Sequence, residues 1–380
     1  MTLLQDGFET VDFNNSKLLE HLEQLPDPRT GWTLTHDFID IVVIAILAVL
    51  SGADSWNDIE AYGEAKEEWL KGFLRLPHGI PSHDTFNKVI RCIDPEQFTK
   101  CFQEWLTAAI LLTGADVIPI DGKVHPGSSD RGKKLKALHT VSAWSSSHGI
   151  VLAQVAVDKK SNEITAIPKL LATMDVKGAI ITIDAMGCQK DIANQIVEQD
   201  ANYVLALKGN QKNLLKAVEQ AFDEVLSDEQ KPSEESFETV AKGHHRIETR
   251  KYSVLPAALI PLAWESTQTV VKVENTREDQ GKISFSTKYY ISSLPPIAEE
   301  VSKAVRSHWS IENQLHWYLD VTFREDDSRI RKDNGAENFG TLRRLALGLL
   351  KREQSLKKSI RLKRFTAAMD NEYLMKVLLA

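Results

Sequence analysis

Two aspartates in this chain each close an apolar run. Asp184 follows "AIITI" and Asp121 follows "VIPI", and after each the sequence turns small or polar. Runs rich in β-branched residues favour pleated strands, and runs this apolar belong in the middle of a sheet, buried on both faces. An aspartate at the carboxyl end of such a strand stands where open α/β sheets place their ligands. If the two strands are neighbours, the carboxylates face one another. That arrangement is costly unless a cation sits between them, and Mg²⁺ takes oxygen donors of this kind. For Asp184 alone the competing reading is a cap on the next helix, because "QKDIANQIVEQD" places Ile192, Ile196 and Val197 at helical spacing beyond a turn at Gly187.

A third carboxylate is expected if two cations are held, and "VRSHWSIENQLHWYLD" offers one. His308, Glu312, His316 and Asp320 recur every four positions, a single polar stripe beside the apolar Ile311, Leu315 and Leu319. Three readings stay open here. Glu312 can complete a set with Asp121 and Asp184; His308, Glu312 and His316 can form a zinc site of their own, as in a zinc-dependent hydrolase; or the stripe can be a solvated helix face.

These residues need elements to position them, and four regions are legible. Residues 1–112 read as a helical module, with amphipathic stretches near 36–51, 55–70, 83–92 and 95–112, the third opened by the cap candidates Ser82 and Asp84. Over 113–211 the pattern is three strands, helix, strand, helix, strand, an α/β signature in which the first and fourth strands carry the two aspartates. Residues 212–297 begin with a helix and an acidic loop and then alternate, as solvated antiparallel strands do, in a β-rich insertion. Residues 298–380 are helical. The apolar run from Ile41, "IVVIAILAVLSG", is shorter than the ~20 residues of a membrane span and reads as a buried helix.

With 42% hydrophobic residues, the chain of 380 can bury a sizeable core. Three cysteines without a C-x-x-C spacing indicate neither a disulfide framework nor a thiolate zinc site, and fit a reducing cytoplasm. The net charge of −7 argues against binding a polyanion over the whole surface. Basic residues are instead local: nine against one acid, Glu353, between Thr341 and Arg364, and a second knot, "RGKKLK", at 131–136. Each is a candidate nucleic-acid path or simply a solvated face.

"IPIDGK", "KSNEITAIPKLL", "IDAMGCQKDIA", "YVLALKGNQ", "HWSIENQLHWYLDV" and "EDDSRIR" occur in this order and together closely resemble the H-repeat-associated insertion-sequence transposases, a DDE-type family. The resemblance runs from "DPR" at Asp27 through "AAMDNEYL" near the carboxyl end. It implies a ribonuclease H-like mixed sheet flanked by helices, with Asp121, Asp184 and Glu312 as catalytic and metal-holding acids. It further implies Mg²⁺ as cofactor, with Mn²⁺ able to replace it, and double-stranded DNA (terminal repeats and target) as partner. A homodimer on DNA and a place in the bacterial cytoplasm at the nucleoid follow from the same likeness, with no membrane association. Lys123 and Lys208, which follow strand ends near the acids, then become phosphate contacts, as do Lys133 and Lys134 of the basic knot. Arg306, Arg329 and Arg331 flank the helix and can grip phosphates by bidentate bonds. For Lys208 the "GN" of "KGNQ" equally reads as a plain turn, and His308 and His316 become substrate-positioning groups or core histidines.

Two departures stand out. The family's Asp-Gly-Lys-Thr is here "DGKVHPGSSD", with Val124 in place of threonine and Pro126 and Gly127 in the loop, and Leu319 stands where distant relatives carry a lysine. A remnant that binds DNA ends without cutting them is the alternative of a different class.

Overall fold

The structure is a computed structural model that describes residues 16–379 apart from 31–33, 109–115, 131, 159–160, 228–234, 244–245, 261–263 and 265. The end of the 95–112 stretch, Arg131 of the basic knot and most of the acidic loop after Ser227 lie outside the described residues.

The amino-terminal helices are α1 (Lys17–Leu22), α2 (Phe38–Leu50), α3 (Trp56–Leu70), α4 (His83–Ile90) and α5 (Pro95–Ala108). Their starts follow from the sequence: Ser55 and Asp58 form a capping box at α3, and Ser82 caps α4. Every residue from Ile41 to Leu50 is buried, so α2 is apolar all round because it is a core helix. No helix among the described residues is long and apolar enough to cross a membrane.

Among the described residues one mixed sheet contains β1 (Val117–His125), β2 (Leu138–Ser145), β3 (Ile150–Ala156), β4 (Ile180–Ile183), β5 (Asn202–Leu207), β6 (Glu235–Gly243), β7 (Arg246–Pro256), β8 (Thr269–Asp279) and β9 (Lys282–Ser292). Its order is β3-β2-β1-β4-β5-β9-β8-β7-β6. β1 runs antiparallel to β2 and parallel to β4, which is parallel to β5, and this is the ribonuclease H-like arrangement. The strands after residue 235 do not form a separate sheet. β9 pairs with β5 from Val204↔Ser292 to Leu207↔Tyr289, so the β-rich segment extends the core sheet outward.

Helices α6 (Glu163–Leu171), α7 (Lys190–Glu198) and α8 (Lys212–Ser227) connect or follow the core strands, and α6 packs on β2 and β3. Helix α9 (Ala298–Ile311) crosses β1, β4 and β5; after a π-helical turn at Glu312–His316 it continues as α10 (Trp317–Val321). The last helices are α11 (Gly335–Arg352), α12 (Ile360–Met369) and α13 (Asn371–Leu378), with α11 packed against α2, α5 and β3.

For four of the nine basic residues of 341–364 the basic bias has an internal cause, which corrects their reading as a DNA path. Arg343, Arg344, Lys363 and Arg364 are buried. Arg364 donates to the carbonyls of Val49, Ala53 and Thr322 and pairs with Asp54 at 3.0 Å. Arg344 pairs with Glu325 at 2.9 Å, and Lys363 donates to Leu350 O at 3.0 Å. These guanidinium and ammonium groups tie helices together. Lys357, Lys358 and Arg361 remain exposed.

Candidate active site at the end of the central strands

Asp184 follows Ile183, the last residue of β4, and Ile183 pairs with Ile120 of β1. The two aspartates are therefore register neighbours. β1 itself does not end at Asp121: it runs on to His125 with β2 as its partner, because β4 stops first. The stop is local chemistry. Asp184 Oδ1 accepts the amides of Met186 (2.9 Å) and Gly187 (3.4 Å), an Asx turn, and a Cβ at Gly187 would overlap Ile183 Cγ2. The helix-cap reading is thus modified, since Asp184 holds the turn while Gln189 stands at the start of α7.

The regular four-residue stripe on the carboxyl-terminal helix gives way to the π turn, a feature that recurs at functional sites. Before the turn, His308 Nδ1 lies 3.0 Å from Thr182 Oγ1 on β4, and burial holds its pKa below the usual value against the pull of Asp184. Within the turn, Glu312 and His316 reach Asp121: donor atoms of the three lie within 4.8 Å of one another, and His316 Nδ1 is 3.6 Å from Asp121 Oδ2. Beyond the turn, Asp320 binds Lys123. His308 is not part of the group that Glu312 and His316 form, so the zinc set of His308, Glu312 and His316 is not assembled.

The site is negative and largely uncompensated. Burial, then the charges of Glu312, Glu163 and Asp184, push the Asp121 carboxyl up to about 7, against the amide of Gly122, which lowers it. His316 does not neutralise it. Burial, with the positive charges of Arg344 and Lys123, drives its pKa down to about 3, so the imidazole is neutral and its Nε2 has no hydrogen-bond partner among the described residues. The carboxylates of Asp121 and of the exposed Glu312, with a neutral buried imidazole, make a donor group that fits a divalent cation; Asp184, the register neighbour of Asp121, stands outside the set whose donor atoms lie within 4.8 Å of one another.

Lys123 is corrected from a phosphate contact to an internal tie. It faces the same side as Asp121 but is buried, with Nζ 2.6 Å from Asp320 and 2.9 Å from Asp326, bonds that hold its pKa up against burial. Glu325 is likewise enclosed; burial would raise its pKa, but Arg344, with Arg343 and Lys123, holds it well below the carboxylate range. Arg331 donates through Nε to Gly127 O at 2.9 Å, which fastens the loop with the departures at Pro126 and Gly127 onto the 326–331 segment. A Cβ at Gly127 would run into Ser328 O, so only glycine fits that contact. Lys133, Lys134, Lys208, Arg306 and Arg329 are exposed. Beside them are two residues the sequence did not single out: Lys288 Nζ sits 4.7 Å above the Trp309 ring, and Lys208 and Arg250 act on it through space. A lysine in an alternating strand, "STKYY", carries no signal of that company.

Residues 89–349 match the Transposase DDE domain, and residues 19–106 match the domain described as DDE_Tnp_1-associated. The chain is thus a member of the DDE transposase family. The Escherichia coli protein YbfL is 42% identical over 370 residues, 95% of this chain and 97% of its own length. The H repeat-associated protein YhhI of Escherichia coli is 41% identical over the same shares. Within the DDE transposases, the chain belongs to the H repeat-associated group. Among solved structures, a piggyBac transposase synaptic complex with hairpin DNA aligns over 95% of this chain and 77% of that chain, at 12% identity and a TM-score of 0.42.

Proposed function

We propose that this protein is the transposase of an insertion sequence, cutting the element's ends and joining them to target DNA at Asp121, Asp184 and Glu312. The observation that carries the reading is that Asp121, with Asp184 beside it in register, is met by Glu312 from a helix more than a hundred residues later. The three acids hold divalent cations, Mg²⁺ or in its place Mn²⁺. Such cations, when bound, lower the pKa of an attacking water or hydroxyl and stabilise charge on the phosphate. Asp121 and Asp184 fix the site on the rigid sheet, and Glu312 closes it from the mouth. His316 adds a neutral imidazole beside Asp121, and His308 fixes α9 on β4. Lys133, Lys134, Lys208, Arg306 and Arg329 contact DNA phosphates, which position the duplex without reading its sequence.

In this reading residues 1–112 form the associated helical domain, 113–211 and 298–380 the two parts of the catalytic core, and 212–297 the insertion. A dimer joins the two ends, in the bacterial cytoplasm at the nucleoid. The complete acidic set favours an active enzyme over a remnant that only binds. The test is strand cleavage of DNA carrying the inverted repeats that flank the gene. Nicking or release of the ends with Mg²⁺ and none in EDTA is expected; cleavage unaffected by EDTA would refute the reading.

A further inference from the structure

The motif "KSNEITAIPKLL" has no part in the function derived so far. Glu163, the first residue of α6, has a side chain only 14% exposed, and its Oε1 lies 2.8 Å from Nε2 of His139 on β2. Side chains alternate along β1, so Asp121 and Lys123 face α9 while Gly122 faces α6. Gly122 has no side chain, and the Glu163 carboxylate occupies the space: a Cβ there would overlap Oε1 and stand 2.8 Å from His139 Nε2. A carboxylate from the opposite face of the sheet thus rests on the backbone next to Asp121. Its charge acts on Asp121 more strongly than that of Asp184 does, and Asp184 in turn acts on Glu163.

An acid in a helix's first turn, pinned by one histidine, is also an ordinary way to seat a helix on a sheet. Seating alone gives no benefit to placing that acid beside Asp121 and Asp184, whose charges repel it. An independent feature points to a ligand here. His316, 8% exposed, turns its Nδ1 to 3.6 Å from Asp121 Oδ2, beyond a hydrogen bond, inside the same group of donors as Asp121 and Glu312, and its Nε2 has no partner among the described residues.

We propose that Glu163 is a positioning residue of the cation site: held by His139 across Gly122, its carboxylate accepts hydrogen bonds from water carried by a divalent cation at Asp121 and Asp184. The proposal rests on the reading of Asp121, Asp184 and Glu312 as cation donors. Residues that orient metal ligands from behind typically govern affinity by ten- to a hundredfold.

The experiment measures Mn²⁺ binding to the full-length protein by electron paramagnetic resonance, with cleavage followed against Mn²⁺ concentration. Glu163→Gln, nearly isosteric, is expected to weaken Mn²⁺ binding about tenfold or more with its melting temperature retained. Raised Mn²⁺ should restore its cleavage but not that of Asp121→Asn. Gly122→Ala, which displaces the carboxylate, should give a shift of similar size, and the double variant should be no worse than the stronger single one. Unchanged Mn²⁺ affinity in folded Glu163→Gln, or a cleavage defect that no Mn²⁺ relieves, would overturn the proposal. If Asp121→Asn still abolishes Mn²⁺ binding in that case, Glu163 alone has been misassigned. If Asp121→Asn also binds Mn²⁺ normally, the cation site itself is refuted and this proposal with it.

Discussion

Asp121 and Lys123 stand two residues apart on one face of β1, and their surroundings are opposites. Around Lys123 opposite charges meet: Asp320 and Asp326 on its ammonium, Arg344 on Glu325 a little further along. Around Asp121 the neighbours are Glu312, Glu163 and Asp184, all negative, with a neutral His316. A protein that can satisfy charges so thoroughly at one end of a strand leaves them unsatisfied a few ångströms away. Unmatched charge that persists in a buried place marks function, because stability alone would remove it. The paired region has a separate task, which is to clamp the 320–331 segment onto β1 and so hold the π turn over Asp121.

The largest effect that sharpens this contrast is catalytic. Glu312→Gln and Asp184→Asn should each lower strand cleavage by about a thousandfold or more, since each removes a charge that holds the cation. End binding in a mobility-shift assay and the melting temperature should stay near the wild-type values, because no stabilising pair is lost. His316→Ala should be milder than either. On the paired side the order reverses. Glu325→Ala strands the buried Arg344 charge, and a broken buried pair costs about 3–5 kcal/mol, read as a lower midpoint in urea unfolding.

A smaller effect separates the two regions by pH. The Asp121 carboxyl titrates at about 7 in the fold, above its ordinary value of 3.8, so between these values the folded state holds a proton that the unfolded chain releases. Its contribution is therefore fully present at low pH and lost as pH rises through about 7, with a slope of up to roughly 1.4 kcal/mol per pH unit. Metal-free wild type should lose stability from pH 4 to 7 more steeply than Asp121→Asn; equal slopes would break the comparison. The smallest effect concerns DNA. Charge reversal at Lys133 and Lys134 should weaken binding to all sequences alike and reduce the log–log salt slope by about 2, whereas Lys123→Met should leave that slope unchanged.

Much of this arrangement was legible in the residues. The strand runs that lead to Asp121 and Asp184 and the cap at Ser82 depend on local pattern, and the fold keeps that pattern; that the two strands are neighbours was a condition the sequence set and the sheet meets. What was illegible depends on distant partners. His308, Glu312, His316 and Asp320 have ideal α-helical spacing, and nothing local announces the π turn that sends His308 to Thr182 and Asp320 to Lys123. The basic count after Thr341 could not disclose that Arg364 meets Asp54, 310 residues away, or that Arg344 meets Glu325. A charge run reads the same whether its side chains reach solvent or the interior. Glu163 had a signal, since its motif was part of the family resemblance, but only Gly122 and His139 give it a place.

The most direct measurement sets the two neighbours on β1 side by side in one assay: Mg²⁺-dependent cleavage of DNA bearing the flanking repeats by Asp121→Asn and by Lys123→Met, with end binding measured in parallel. Asp121→Asn should bind the ends and fail to cut them, while Lys123→Met should still cut, at a reduced rate set by a looser clamp. Cutting by Asp121→Asn at the wild-type rate would contradict the account.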